Sequence, residues 1–324
     1  APRMRGVKGK PVESMTAKQY EEAQLLKKAY EWRKLYDTKM GDLERGGYMS
    51  DGDPAFIESA KKLASEYATN ELNKSLKENM QVRDLMTDED IEIPNELAHY
   101  TVSPKSNADT GGIVFVNDEG KAFLVLHGKE AGYKRNGVFI SESARAVNQL
   151  DDSSVYRAMR STPFSRSHVP ELYPGLGEQA DELIQEFGGT ENVHVISYSN
   201  GGPKHQFLNE TRGLGGTSID PMMGPLQSSQ LVRGNRAPME YLTTDSFSVM
   251  DTAINLAPHF GTNVHVQYVP HVTGTAAGTL PNIARYGMAN HDLDGPFSEN
   301  TDKSDTGKIT TNTDLLKAGA HAFK

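Results

Sequence analysis

The residues best placed to do chemistry lie in the run Val193, His194, Val195, Ile196, Ser197, Tyr198, Ser199, Asn200, Gly201, Gly202. A β-branched segment drives into Ser-x-Ser-x-Gly-Gly, and a helical segment follows. Strand, sharp turn with an exposed serine, helix is the order of a nucleophile elbow. Ser199 is the nucleophile of such a turn. Gly201 and Gly202 are the small neighbours it requires, because strand and helix backbones approach closely there. Ser197 stands where the first glycine of that motif usually falls. The chemistry would be acyl transfer. A serine hydroxyl is too weakly acidic to attack unaided, so an imidazole must take its proton and a buried carboxylate must hold that imidazole. The rival reading is a tight strand-to-helix turn with no chemistry.

Such a turn needs a sheet behind it, and the chain supplies the pattern from Gly111 onward. Ile113–Val116 and Ala122–Leu126 read as strands joined by Asp118, Glu119 and Gly120. The second is apolar without alternation, as a strand covered on both faces should be. Leu176, Ala180, Leu183, Ile184 and Phe187 give an amphipathic helix closed by Gly188 and Gly189, which leads into strand 193–198. Gly216–Asp220, Met239–Thr244 and Asn263–Val269 are further strands, and Phe247, Met250, Ala253 and Ile254 line a helix between the last two. Strands alternating with helices predict an α/β fold with a mostly parallel sheet flanked by helices. The polar segment 141–170 is read as a flap over that sheet.

The rest of the chain divides by composition. Residues 1–15 read as a basic flexible arm, with Arg3, Arg5, Lys8 and Lys10 ahead of the first acid, Glu13. Residues 16–105 read as an N-terminal helical appendage. Thr16 and Gln19 make a capping box, with Met15 and Tyr20 at the positions of a hydrophobic staple. Tyr20, Ala23 and Tyr30 recur at helical spacing, and Gly41, Gly46 and Gly47 end the segment. Asp53 and Pro54 open a second helix whose apolar face is Phe56, Ala60, Leu63, Ala64, Tyr67 and Ala68. The acidic stretch Thr87–Glu92 reads as a connector. Residues 106–297 form the α/β domain, and 298–324 a polar C-terminal tail. With 324 residues and 36% hydrophobic content, the chain can build one such domain plus the appendage, or two small domains.

A formal charge of −9 argues against a general nucleic-acid binder, which wants a basic surface. With no cysteine, disulfides, thiolate nucleophiles and thiolate metal sites are excluded. No apolar run has transmembrane length and no secretory signal is evident, so a soluble protein is expected, cytoplasmic or particle-associated. No histidine or carboxylate group has metal-ligand spacing. Gly213, Gly215 and Gly216 precede a strand where a phosphate loop would precede a helix, and Gly175 and Gly177 lack a third glycine in register. Neither cofactor nor metal is expected.

From about Gly111 to Phe297 the chain resembles the α/β-hydrolase-fold serine hydrolases, lipase-like members above all. The resemblance implies a triad ordered serine, acid, histidine along the chain. It points to Asp245, which closes strand 239–244, as the acid; the competing role of Asp245 is helix N-cap, and Asp220 is the fallback. His291, in Asn-His-Asp-Leu-Asp-Gly-Pro-Phe, becomes the base, with His271 its rival. His194 and His265 lie within strands and should face helices or solvent. The oxyanion hole would draw on the amide of Asn200 and on Gly128 or Lys129, after strand 122–126. His127 and Gly128 resemble the His-Gly of many members; the alternative is a plain strand-end turn. The implied activity is cofactor-free cleavage of carboxylic, lipid-like esters through an acyl-enzyme, with 129–175 as a lid. The second hypothesis is a structural or assembly protein, such as a viral particle component, with an idle or vestigial triad. Its N-terminal arm would then reach neighbouring subunits or a homo-oligomer partner.

Overall fold

The computed structural model describes residues 13–48, 52–84, 89–128, 133–135, 138–140, 173, 175–199, 201–221, 233–244 and 261–269. The expectations for the arm up to residue 12, the 141–170 flap, the helix near 247–257 and the polar tail lie outside these residues.

Helix α1 spans Ala17–Arg45. Its start is set by the capping box: the Gln19 amide donates to Thr16 Oγ1 at 3.2 Å, and the Thr16 amide to Gln19 Oε1 at 2.9 Å. Gly41 does not stop it; the helix ends before Gly46 and Gly47. Helix α2 spans Pro54–Lys77, with Asp53 capping the Ala55 amide at 2.9 Å and Pro54 in the first turn. Its buried stripe is Ala60, Ala64, Ala68, Leu72 and Leu76, while Phe56, Leu63 and Tyr67 are 46%, 41% and 38% exposed. This corrects the apolar face read from sequence. The alanines at every fourth position let α2 lie close on α1, and Phe56, Leu63 and Tyr67 turn outward.

Strands β1 (Met80–Asp84) and β2 (Glu89–Ile93) form an antiparallel pair where a connector was expected. Next along the chain come β3 (Tyr100–Val102), β4 (Gly112–Asn117), β5 (Ala122–Leu126) and a small antiparallel pair, β6 (Tyr133–Arg135) with β7 (Val138–Ile140). After these follow helix α3 (Leu176–Glu186), β8 (Val193–Tyr198), helix α4 (Gly201–Arg212), β9 (Gly216–Ile219), β10 (Met239–Thr244) and β11 (Val264–Val269). Seven strands make one sheet in the order β11-β10-β9-β8-β5-β4-β3. The run from β5 to β11 is parallel; β4 and β3 are antiparallel additions at one side. This is a mixed α/β fold with a mostly parallel sheet.

Alternation along the strands divides the core by face. Ile113, Phe115, Val125, Ile196, Tyr198, Ile219 and Leu242 share one hydrophobic cluster with Leu25, Leu26, Ala29 and Trp32 of α1. Val114, Leu124, Leu126, Val193 and Val195 pack on the opposite face with Leu176, Ala180 and Leu183 of α3 and Phe207 and Leu208 of α4. Helix α1 also bonds the sheet's far strands, since Gln19 Nε2 donates to Glu240 Oε1 and Gln267 Oε1, both at 2.8 Å. Among the described residues no helix is long and apolar enough to cross a membrane.

Candidate active site

The turn between β8 and α4 has the backbone that an elbow demands. Ser199 has φ +50°, in the left-handed region that a side chain other than glycine rarely occupies. Its amide still donates to the Ile219 carbonyl at 3.3 Å, and its carbonyl accepts from the Gly202 amide at 3.0 Å. The residue is pinned between the end of the parallel ladder and the first turn of the helix. A Cβ on Gly201 would stand 2.1 Å from the Leu126 carbonyl oxygen, so only glycine lets α4 start this close to β5. Ser199 is 5% exposed, more enclosed than the sequence suggested.

Ser197, at the position where glycine is usual, is fully buried. Its hydroxyl bridges His205 Nδ1 of α4 at 3.0 Å and Ser218 Oγ of β9 at 2.8 Å. The serine therefore fits because its oxygen joins strand to helix by hydrogen bonds. Burial lowers the His205 imidazole to about 3; the His194 charge adds to this, and the Gly215 backbone opposes it. His205 is neutral at ordinary pH, and its hydroxyl partner is Ser197.

Two other expected residues lie beside the elbow. Gly128 follows β5, the parallel neighbour of β8, and a Cβ on it would lie 2.8 Å from Ser199 Cβ. The loop after β5 therefore abuts the serine, where a backbone donor for an oxyanion would have to be. Asp220 follows β9. Tyr198 pairs with Ile219, so Ser199 and Asp220 are the next residues on adjacent parallel strands. Asp220 also has positive φ, +41°, and is fully buried, with the Thr243 hydroxyl 3.3 Å from its Oδ1. Asp245, His291, His271, Asn200 and Lys129 lie outside the described residues.

Three other described histidines lie in or beside the sheet. His194 Nε2 lies 2.7 Å from Glu22 Oε1 of α1, and His265 is exposed. His127 is buried at the end of β5, its Nδ1 3.2 Å from the Gly128 carbonyl and its ring 5.2 Å from that of Tyr30. Sequence reasoning read Tyr30 as part of a helix face; the structure brings it to the elbow. Two clefts bounded by described residues lie elsewhere. One, of about 420 Å³, is lined by Lys61, Asn107 and Gln179. The other, of about 560 Å³, is lined by Lys18, His194 and His265 at the amino ends of β8, β9 and β10. Open parallel sheets bind ligands at the carboxyl ends of their strands, the end that carries Ser199 and Asp220. Among the described residues no group of three or more His, Asp or Glu could hold a metal ion.

The class defined so far is an α/β protein with a strained serine at the carboxyl edge of its sheet. No protein-family model matches the chain, and no curated protein matches it.

Proposed function

We propose that the chain is a serine hydrolase of the α/β-hydrolase, lipase-like kind, cleaving carboxylic, lipid-like esters. The observation that carries this reading is the left-handed backbone of Ser199 between β8 and α4, with Gly128 packed against its Cβ. Ser199 Oγ attacks the acyl carbon while an imidazole, assigned to His291 with His271 as rival, takes its proton. The carbonyl electron pair moves to oxygen, which backbone amides of Asn200 and of the Gly128–Lys129 loop stabilise. Collapse expels the alcohol, which takes the proton from the imidazolium, and water then releases the acid by the same steps. Asp245 is the expected orienting carboxylate. Asp220 is the alternative carboxylate, buried just past the end of β9 beside the serine.

Intact mass after exposure to a fluorophosphonate probe should show one adduct in the parent protein and none in Ser199→Ala. Folded parent protein that takes up no probe at neutral pH removes this reading. Replacing the true orienter by asparagine should lower kcat by about 10⁴-fold. Asp220→Asn and Asp245→Asn therefore decide between the two carboxylates.

A second reading, an assembly component such as a viral particle protein, draws on the exposed row Phe56, Leu63 and Tyr67 on α2 with Met80, Ile91 and Ile93 nearby in sequence. Light scattering of the full chain and of an arm-deleted form tests it. A monomer indifferent to the deletion counts against assembly.

A further inference from the structure

Helix α1 brings a phenol hydroxyl to the elbow. The point that a Cβ on Gly128 would occupy is 2.8 Å from Tyr30 Oη, 2.8 Å from Ser199 Cβ and 3.1 Å from Tyr198 Cδ1. Two atoms equally distant from one point are separated by at most twice that distance. The Tyr30 hydroxyl thus stands one small group away from the carbon that bears the Ser199 oxygen. This crowding also explains why residue 128 is glycine: any side chain would displace the phenol or the serine.

The phenol is held by rigid parts. Its ring lies 5.2 Å from His127 and 6.3 Å, edge-on, from Tyr198, the residues that precede Gly128 and Ser199. Its neighbours on α1, Leu26 and Ala29, are fully buried against the sheet. A hydroxyl carried by a packed helix needs little reorganisation when charge develops close to it, which oxyanion stabilisation favours.

We propose that Tyr30 Oη donates a hydrogen bond to the oxyanion formed when Ser199 attacks an acyl carbon, so that α1 completes the catalytic centre. The proposal rests on the serine-hydrolase reading. The C–O bond forms at Ser199 Oγ, the proton of that hydroxyl goes to the imidazole, and the carbonyl pair becomes the oxyanion. Tyr30 keeps its own proton throughout. When the carbonyl re-forms and the alcohol leaves, the hydrogen bond weakens again.

Tyr30→Phe removes the hydroxyl and retains the ring contacts. With p-nitrophenyl butyrate as substrate, kcat should fall by about 10²-fold at nearly unchanged KM. Fluorophosphonate labelling of Ser199 should slow with it, and the melting temperature should stay that of the parent. If the parent labels at Ser199 and Tyr30→Phe matches it in kcat, the Tyr30 assignment falls and the hydrolase reading stands. If Tyr30→Phe loses activity through a raised KM together with a lowered melting temperature, the residue is structural and the assignment again falls. A parent that neither labels nor turns over overturns both.

Discussion

Helices α1 and α4 cross the same three strands, β5, β8 and β9, from opposite faces, and they do so by different means. On the α1 face the buried centre is apolar and aromatic, with polar bonds from Gln19 and Glu22 near the helix start. Leu25, Leu26, Ala29 and Trp32 are fully buried, Trp32 stacks on Tyr36 at 5.4 Å, and its indole N–H donates to Thr69 Oγ1 at 3.0 Å. On the α4 face the residues facing the sheet include His205, Gln206 and Asn209, all buried. Gln206 Nε2 donates to Asn235 Oδ1 at 2.6 Å, Asn235 Nδ2 to the Tyr241 hydroxyl at 3.0 Å, and that hydroxyl to Gln206 Oε1 at 2.7 Å, closing a ring. Burial pushes the Tyr241 phenol well above its usual range, with the Asn235 bond opposing. Volume fills the α1 contact, whereas short polar side chains and glycine set the α4 contact. The elbow is the reason. A helix that begins two residues after its strand must lie too near the sheet for large side chains at its start, and satisfied polar groups hold it there.

The contrast breaks most sharply at Gly201. Gly201→Ala drives a methyl into the Leu126 carbonyl and should cost about 4–5 kcal/mol, the exceptional end for one substitution, read as loss of a cooperative urea transition. Trp32→Ala on the other face leaves a cavity that can partly relax, and about 3–4 kcal/mol is expected from the same melts. Ser197→Ala sharpens the polar side of the comparison. It strips a buried partner from His205 and Ser218 and should cost about 1–3 kcal/mol, although alanine has ample room.

The last effect is a slope with pH. The folded pKa of His205, about 3, lies below the unfolded value of 6.5. At pH above 6.5 neither state is protonated and stability is undiminished. As pH falls from there toward 3, the unfolded chain binds a proton that the native state refuses. Stability should therefore drop by up to about 1.4 kcal/mol per pH unit from this group. His205→Gln should flatten that segment of the stability curve; an unchanged slope would show that other groups set it.

What could be read from sequence was local. The capping box at Thr16 and Gln19, the strand 193–198 and the serine turn announce themselves within a few residues, and the structure has them where they were expected. The α2 stripe was misread because periodicity shows that one side is apolar but not which row is small enough to face a neighbouring helix. Tyr30 beside Gly128 and Ser197 against His205 were illegible for other reasons. The first contact joins distant parts of the chain. The second involves residue types that each have an ordinary explanation, and only burial reveals the pairing.

The bonds from Gln19 to Glu240 and Gln267 span 221 and 248 positions. On the ribosome, helix α1 must therefore wait for β10 and β11. At about 5–20 residues per second that delay is on the order of tens of seconds, with the sticky side of the helix uncovered. Contacts of such long sequence separation slow folding, because the chain must close the loop between them before the contact forms.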